Sequence, residues 1–205
     1  MTPTHTVHAV ILDFGGVLLH LGAPQPHEDL ARRLGISVRE LRHQIFDGPL
    51  SVAAQRGEIT PQALWAALAE QWGWPPEKGP ELAAAFWQGV RVDTTLPDWL
   101  RTLRPRYRTA LLSNAWLDLR DLIHRLGLAD AFDQMVISAE EGLMKPDPAI
   151  YRLTLERLGV APQEAVFVDD REENIAAARA LGMHGVLFRS TEQALADLRA
   201  LGLPA

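Results

Sequence analysis

Apolar residues gather in short continuous runs at five places along the chain: Ala9–Leu12, Thr109–Leu112, Gln134–Ile137, Ala165–Val168 and Gly185–Leu187. Between the later runs lie helical stretches, Leu117–Leu126, Ala149–Leu158 and Glu173–Leu181. Strands that are apolar throughout and alternate with helices predict a parallel sheet covered on both faces. The fold class that follows is α/β, a doubly wound, Rossmann-like sheet.

The stretch from Leu21 to Val92 has a different pattern, with helical signals and no convincing strand. Ser37-Val38-Arg39-Glu40 has the form of a capping box, in which hydroxyl and carboxylate each satisfy a free N–H. Thr60-Pro61 reads as an N-cap followed by proline at the first helical position, where a missing N–H costs nothing. Trp72-Gly73-Trp74-Pro75-Pro76 breaks the chain before a further helix, roughly 80–88. The expected organisation is an α/β core of residues 1–20 and 93–205, with a helical module of residues 21–92 inserted after the first strand.

Composition narrows the partners. The chain has 205 residues, 47% of them hydrophobic and 22% charged, which suits one globular core with a small insert. A net charge of −6 without a block of like charges argues against nucleic acid or an anionic membrane as the main partner. Cysteine is absent, which removes disulfides, thiolate metal sites and a Cys nucleophile. No apolar run approaches bilayer length, and Met1–Val7 lacks the regions of a signal peptide, so the expected location is the cytoplasm. Nothing in the pattern speaks to oligomeric state.

Candidate chemistry follows the strand ends, where an open parallel sheet binds its ligands. Asp13-Phe14-Gly15-Gly16-Val17 ends the first run, and Ser113-Asn114 the second. Lys145-Pro146 lies in GLMKPDP, and Asp169-Asp170 closes Val166-Phe167-Val168. Each alone has a plain structural reading as a turn, an N-cap or a helix start. Two adjacent acids repel unless a cation stands near, and the ordered set is improbable by chance. Its inventory suits phosphoryl transfer: carboxylates for a hard cation, an Asp nucleophile, and Lys, hydroxyl and N–H groups for phosphoryl oxygens.

These four motifs resemble those of the haloacid dehalogenase-like hydrolases, over nearly the whole chain. Within that superfamily the sequence resembles the sugar-phosphate phosphatase branch, related to the amino-terminal domain of soluble epoxide hydrolase. The insert is similar to the family's small helical cap, which closes over the site and selects substrate. The resemblance implies that Asp13 is nucleophile and Mg²⁺ ligand, with the Gly15 carbonyl, Asp170 and Asp169 completing the metal site. It implies that Gly16, Ser113 and Asn114 hold phosphate, that Lys145 neutralises charge, and that Asn174 acts behind the metal ligands. The implied activity is hydrolysis of a small phosphorylated metabolite.

Phosphatases of this family usually carry a second Asp two residues after the nucleophile, as general acid and base. Here that position is Gly15, and losing such a group costs on the order of 10²–10⁴-fold. Three readings stay open: a phosphatase in which something else replaces the acid, a 2-haloacid dehalogenase, or a weakly active or regulatory protein on the same fold. His20 is a candidate replacement, since imidazole titrates near neutral pH. Arg56, beside Gly57 in a turn of the insert, is a candidate substrate contact. Trp65, Trp72, Trp74 and Trp87 are expected in the core of the insert, and Trp116 at the rim of the pocket. His5 and His8 receive no role.

Overall fold

The computed structural model describes residues 6–204; His5 and most of the segment read above for a leader lie outside them. In chain order the strands are β1 (Ala9–Leu12), β2 (Leu19–His20), β3 (Arg91–Val92), β4 (Arg108–Ser113), β5 (Gln134–Ile137), β6 (Ala165–Asp169) and β7 (His184–Leu187). Five of them form one parallel sheet in the order β5-β4-β1-β6-β7. All five apolar runs of the sequence lie in this sheet, with ends shifted by at most one residue.

The sheet is apolar on both faces because its strands alternate between two cores. In β1, Val10 and Leu12 face one side while Ala9 and Ile11 face the other. Val166 and Val168 of β6 join the first side, Ala165 and Phe167 the second. Helices α6 (Thr95–Leu103), α7 (Leu119–Arg125) and α11 (Thr191–Ala200) cover the first face. Helices α9 (Pro148–Leu158) and α10 (Glu172–Ala180) cover the second, and the short α8 (Ser138–Glu141) follows β5. Each fully buried aliphatic side chain contributes about 1.5–3 kcal/mol relative to exposure, so β1, buried throughout, is the anchor of the domain.

Between β2 and β3 the chain forms α1 (Gln25–Leu34), α2 (Val38–Phe46), α3 (Pro49–Gln55), α4 (Pro61–Gln71) and α5 (Gly79–Phe86). These helices enclose a separate apolar cluster around Leu41, Ile45, Leu64, Leu68, Leu82 and Phe86. Thr60 caps α4, its Oγ1 accepting from the Ala63 N–H at 3.2 Å, with Pro61 next in line. Two expectations need correction. Ser37 caps α2 through one bond only, its Oγ accepting from the Glu40 N–H at 3.1 Å; the reciprocal box stands instead at Ser190 and Gln193, ahead of α11. And Arg91–Val92, read as strand-free, pairs antiparallel with Leu19–His20. A two-residue strand is too short to carry a period.

Candidate active site

Register places the acids. Leu12 is paired with Leu111 on one side and Val168 on the other, so Asp13 and Asp169 leave their strands side by side. The Asp13 N–H donates to the Val168 carbonyl at 3.0 Å, and its Oδ1 accepts from the Phe14 N–H at 2.7 Å. Carboxylate oxygens of Asp13, Asp169 and Asp170 all lie within 4.8 Å of one another. Burial drives the Asp13 carboxyl up to about 7; Lys145 and the Ser113 hydroxyl pull it down, and Asp169 adds to the rise. Asp170 is also raised, by burial and then by Asp169.

Lys145 balances part of this charge. Its Nζ stands 3.0 Å from Asp13 Oδ1 and 2.6 Å from Asp169 Oδ2. Burial opposes its charge, but the two carboxylates outweigh that and hold its pKa above the usual lysine value. The ammonium also lies 5.2 Å from the centre of the Phe167 ring.

Two asparagines fix this pair. The Asn114 side chain grips the Lys145 backbone, Nδ2 donating to its carbonyl and Oδ1 accepting from its N–H, both at 2.8 Å. The Asn174 Nδ2 donates to both Asp169 oxygens at 3.0 Å. Tyr151, buried beneath, donates its hydroxyl to the Asn174 carbonyl at 3.0 Å. The sequence points Asn114 to phosphate alone; the clamp of its side chain on Lys145 emerges only in the fold. Only its place directly after β4 could have suggested it.

The two glycines after Asp13 differ. Gly16 has φ +76°, and a Cβ there would meet Asp170 Oδ2 at 2.2 Å, so both backbone and space require glycine. Gly15 has neither constraint, and a Cβ there meets nothing within 4 Å. Its side-chain position is open and exposed.

A cavity of about 160 Å³ opens beside Lys145, between Phe46, Asp47, Val52 and Gln55 of the helical segment and Met144 and Arg171 of the sheet domain. Arg56 is not among its lining residues; it ends α3, exposed, and the adjacent Gln55 faces the cavity instead. Gly57 does permit a close approach, but to the Ala139 carbonyl, which a Cβ would meet at 2.2 Å. His20 sits in β2 with its ring stacked on Phe188, centroids 6.1 Å apart. Trp116 is not at a rim. It leaves the sheet domain and packs into the helical segment, edge-on to Trp65 at 5.6 Å and Trp87 at 6.0 Å. Among the described residues no helix is long and apolar enough to cross a membrane.

Comparison with known proteins agrees with this arrangement. A model of the haloacid dehalogenase-like hydrolases matches residues 7–182. A sesquiterpene phosphatase of Aspergillus oryzae is 30% identical over 204 residues, covering 96% of this chain and 97% of the relative. A drimenol cyclase of Aspergillus calidoustus is 30% identical over 207 residues, covering 97% of this chain, which spans only 37% of that relative's length. Among solved structures, an enzyme of the same family from Bacteroides thetaiotaomicron, in complex with magnesium and inorganic phosphate, superposes with a TM-score of 0.74 at 26% identity, covering 90% of this chain and 96% of that one. The chain belongs to the haloacid dehalogenase-like hydrolases.

Proposed function

We propose that the chain is a Mg²⁺-dependent phosphatase of small phosphomonoesters, with Asp13 as the nucleophile of an aspartyl-phosphate mechanism. The observation that carries this reading is the cluster itself: three carboxylates within 4.8 Å, with one ammonium 3.0 Å from the nucleophile. The donor set is oxygen only, which suits a hard cation such as Mg²⁺. Asp13, Asp169, Asp170 and the Gly15 carbonyl are the groups that would hold it. When bound, the ion supplies positive charge against the carboxylates and the phosphoryl oxygens. The phosphatase relative and the neighbour crystallised with magnesium and phosphate support the same chemistry.

An Asp13 oxygen attacks phosphorus and the alcohol departs. Ser113, Asn114, Gly16 and Lys145 hold the phosphoryl oxygens, Lys145 lying closest to the nucleophile. Water then cleaves the acyl phosphate. Gly15 offers no proton donor, so the departing oxygen takes its proton from solvent, and leaving groups of low pKa react best. Residues 21–92 act as the cap over a core of residues 1–20 and 93–205, excluding bulk water during the first step. The substrate is a small phosphorylated metabolite of the cytoplasm rather than nucleic acid or membrane.

The test is phosphate release from a panel of phosphorylated metabolites with Mg²⁺, anomeric sugar phosphates included. Asp13→Asn should abolish it. Halide release from 2-haloacids in EDTA would replace this reading with a dehalogenase. Binding of Mg²⁺ and phosphate without turnover of any ester would replace it with a regulatory role.

A further inference from the structure

The cavity beside Lys145 adjoins the acidic cluster and is open to the part of a substrate beyond its phosphoryl group. At about 160 Å³ it is smaller than the roughly 300–1,000 Å³ typical of drug-sized ligand sites. Two cations line it, Lys145 and Arg171. Lys145 is committed to Asp13 and Asp169. Arg171 is committed as well: its Nη1 lies 2.9 Å from Asp47 Oδ1 in the turn between α2 and α3, and its Nε 2.6 Å from Glu173 Oε1. Asp47 and Arg171 are 124 residues apart and meet across the cavity mouth.

Resting on the phosphatase reading, we propose that Asp47 sets the charge class of the leaving group. With Asp47 and Glu173 in place, Arg171 already has a carboxylate on two of its nitrogens, and Lys145 is held by Asp13 and Asp169. A second anion on the substrate therefore meets two carboxylates and no free cation among the lining residues. The cavity therefore selects phosphate esters of neutral alcohols over those that also carry a carboxylate or a second phosphate. Removing Asp47 frees one edge of the Arg171 guanidinium, whose planar fork suits a carboxylate, and reverses part of that preference. Arg171 and Asp47 are half-exposed, with side chains 51% and 42% accessible, so solvent screens the pair and the effect is moderate.

The experiment compares phenyl phosphate with 4-carboxyphenyl phosphate, which differ by one carboxylate, in wild type and variants. The reading is the ratio of kcat/KM for the two esters, so differences in leaving-group chemistry cancel between proteins. Asp47→Asn should shift the ratio toward the carboxylated ester by roughly 1.5-fold to fivefold. Glu173→Gln should shift it in the same direction, and the double variant Asp47→Asn with Arg171→Gln should return it to the wild-type value. An unchanged ratio in both single variants, with both esters hydrolysed, overturns this assignment and leaves the phosphatase reading intact. A wild type that hydrolyses neither ester with Mg²⁺ overturns both together.

Discussion

Gly16 and Asp170 are fitted to each other: a Cβ on the glycine would stand 2.2 Å from the carboxylate oxygen. The same glycine holds φ +76°. Gly16→Ala therefore has two costs. A left-handed conformation costs an L-residue on the order of 1–2 kcal/mol, and the new methyl displaces a carboxylate of the acidic cluster. Gly16 borders the carboxylate without itself being a side-chain ligand, and disturbing the surroundings that orient a ligand typically costs on the order of 10- to 100-fold in metal affinity. Titration calorimetry with Mg²⁺, paired with thermal unfolding, measures both; wild-type affinity in a folded variant would contradict the assignment of Asp170 as a ligand.

Gly15 predicts the opposite. Nothing lies within 4 Å of a Cβ there, and its φ is outside the left-handed range. Gly15→Asp should fold with stability within about 0.5 kcal/mol of wild type, as exposed substitutions generally do. If the empty position is what limits turnover, the new carboxyl should raise hydrolysis of alkyl phosphates by on the order of 10²-fold, the bottom of the range for a general acid. Aryl phosphates, whose leaving groups need less help, should gain little. A variant that is stable and equally slow on both would show that another group already delivers the proton.

The contrast between these two glycines marks how far the sequence could be read. Asp13, Ser113 and Asp169-Asp170 were legible because a parallel strand buried on both faces is a continuous apolar run, and its end is visible as the first polar residue; Lys145 has no such mark, since it lies beyond α8 in the loop before α9. The β2–β3 ribbon was not legible, since two residues show no alternation. Nor was the Asn114 clamp on Lys145, nor the Asp47–Arg171 pair, because each joins segments whose meeting depends on the finished fold. Gln55 and Arg56 illustrate the limit most simply. Adjacent positions on a helix point about 100° apart, and only the packed structure tells which one faces the cavity.

Lys145 is fully enclosed between two carboxylates. Lys145→Met leaves Asp13 and Asp169 facing each other without a cation, and breaking a buried pair in this way costs about 3–5 kcal/mol. The loss has a definite pH dependence. Protonated carboxyls carry no charge to repel, and Asp13 is held up to about 7 even with the lysine present. The deficit relative to wild type should therefore be greatest above pH 7 and shrink as the pH falls. Urea unfolding of metal-free protein at pH 8 and pH 5.5 checks this, and a deficit independent of pH would mean lost packing rather than lost charge balance.

Trp116 ties the helical segment to the sheet domain through its edge contacts with Trp65 and Trp87. Trp116→Ala removes a side chain only 9% exposed, a change that typically costs about 3–5 kcal/mol. Because its partners lie in α4 and just after α5, the loss should fall on the attachment of that segment. Hydrogen exchange should quicken in α4 and α5 while β1 and β6 keep their protection. Equal loss of protection in the sheet would show that the two parts unfold as one unit.

His27 gives the helical segment a sensitivity to acid. Its ring is 3% exposed and stacks on Phe86 at 4.5 Å; Nε2 bonds the Phe86 carbonyl of α5 at 2.9 Å, and Nδ1 lies 3.2 Å from Arg42 Nε of α2. Burial lowers its pKa from the ordinary 6.5, opposed by the Phe86 carbonyl and reinforced by the Arg42 charge. A neutral ring donates at Nε2 and accepts at Nδ1, whereas a protonated one would turn an N–H toward the guanidinium. Below pH 6.5 the unfolded chain takes up a proton that the folded state refuses, so stability is complete above 6.5 and falls as the pH drops, by at most about 1.4 kcal/mol per pH unit. His27→Gln should cost about 1–3 kcal/mol at pH 8 through the disrupted hydrogen bonds. That gap should narrow steadily in urea unfolding between pH 6.5 and pH 5, because the variant no longer has the titrating ring. A gap that stays constant across the same range would place the acid sensitivity elsewhere.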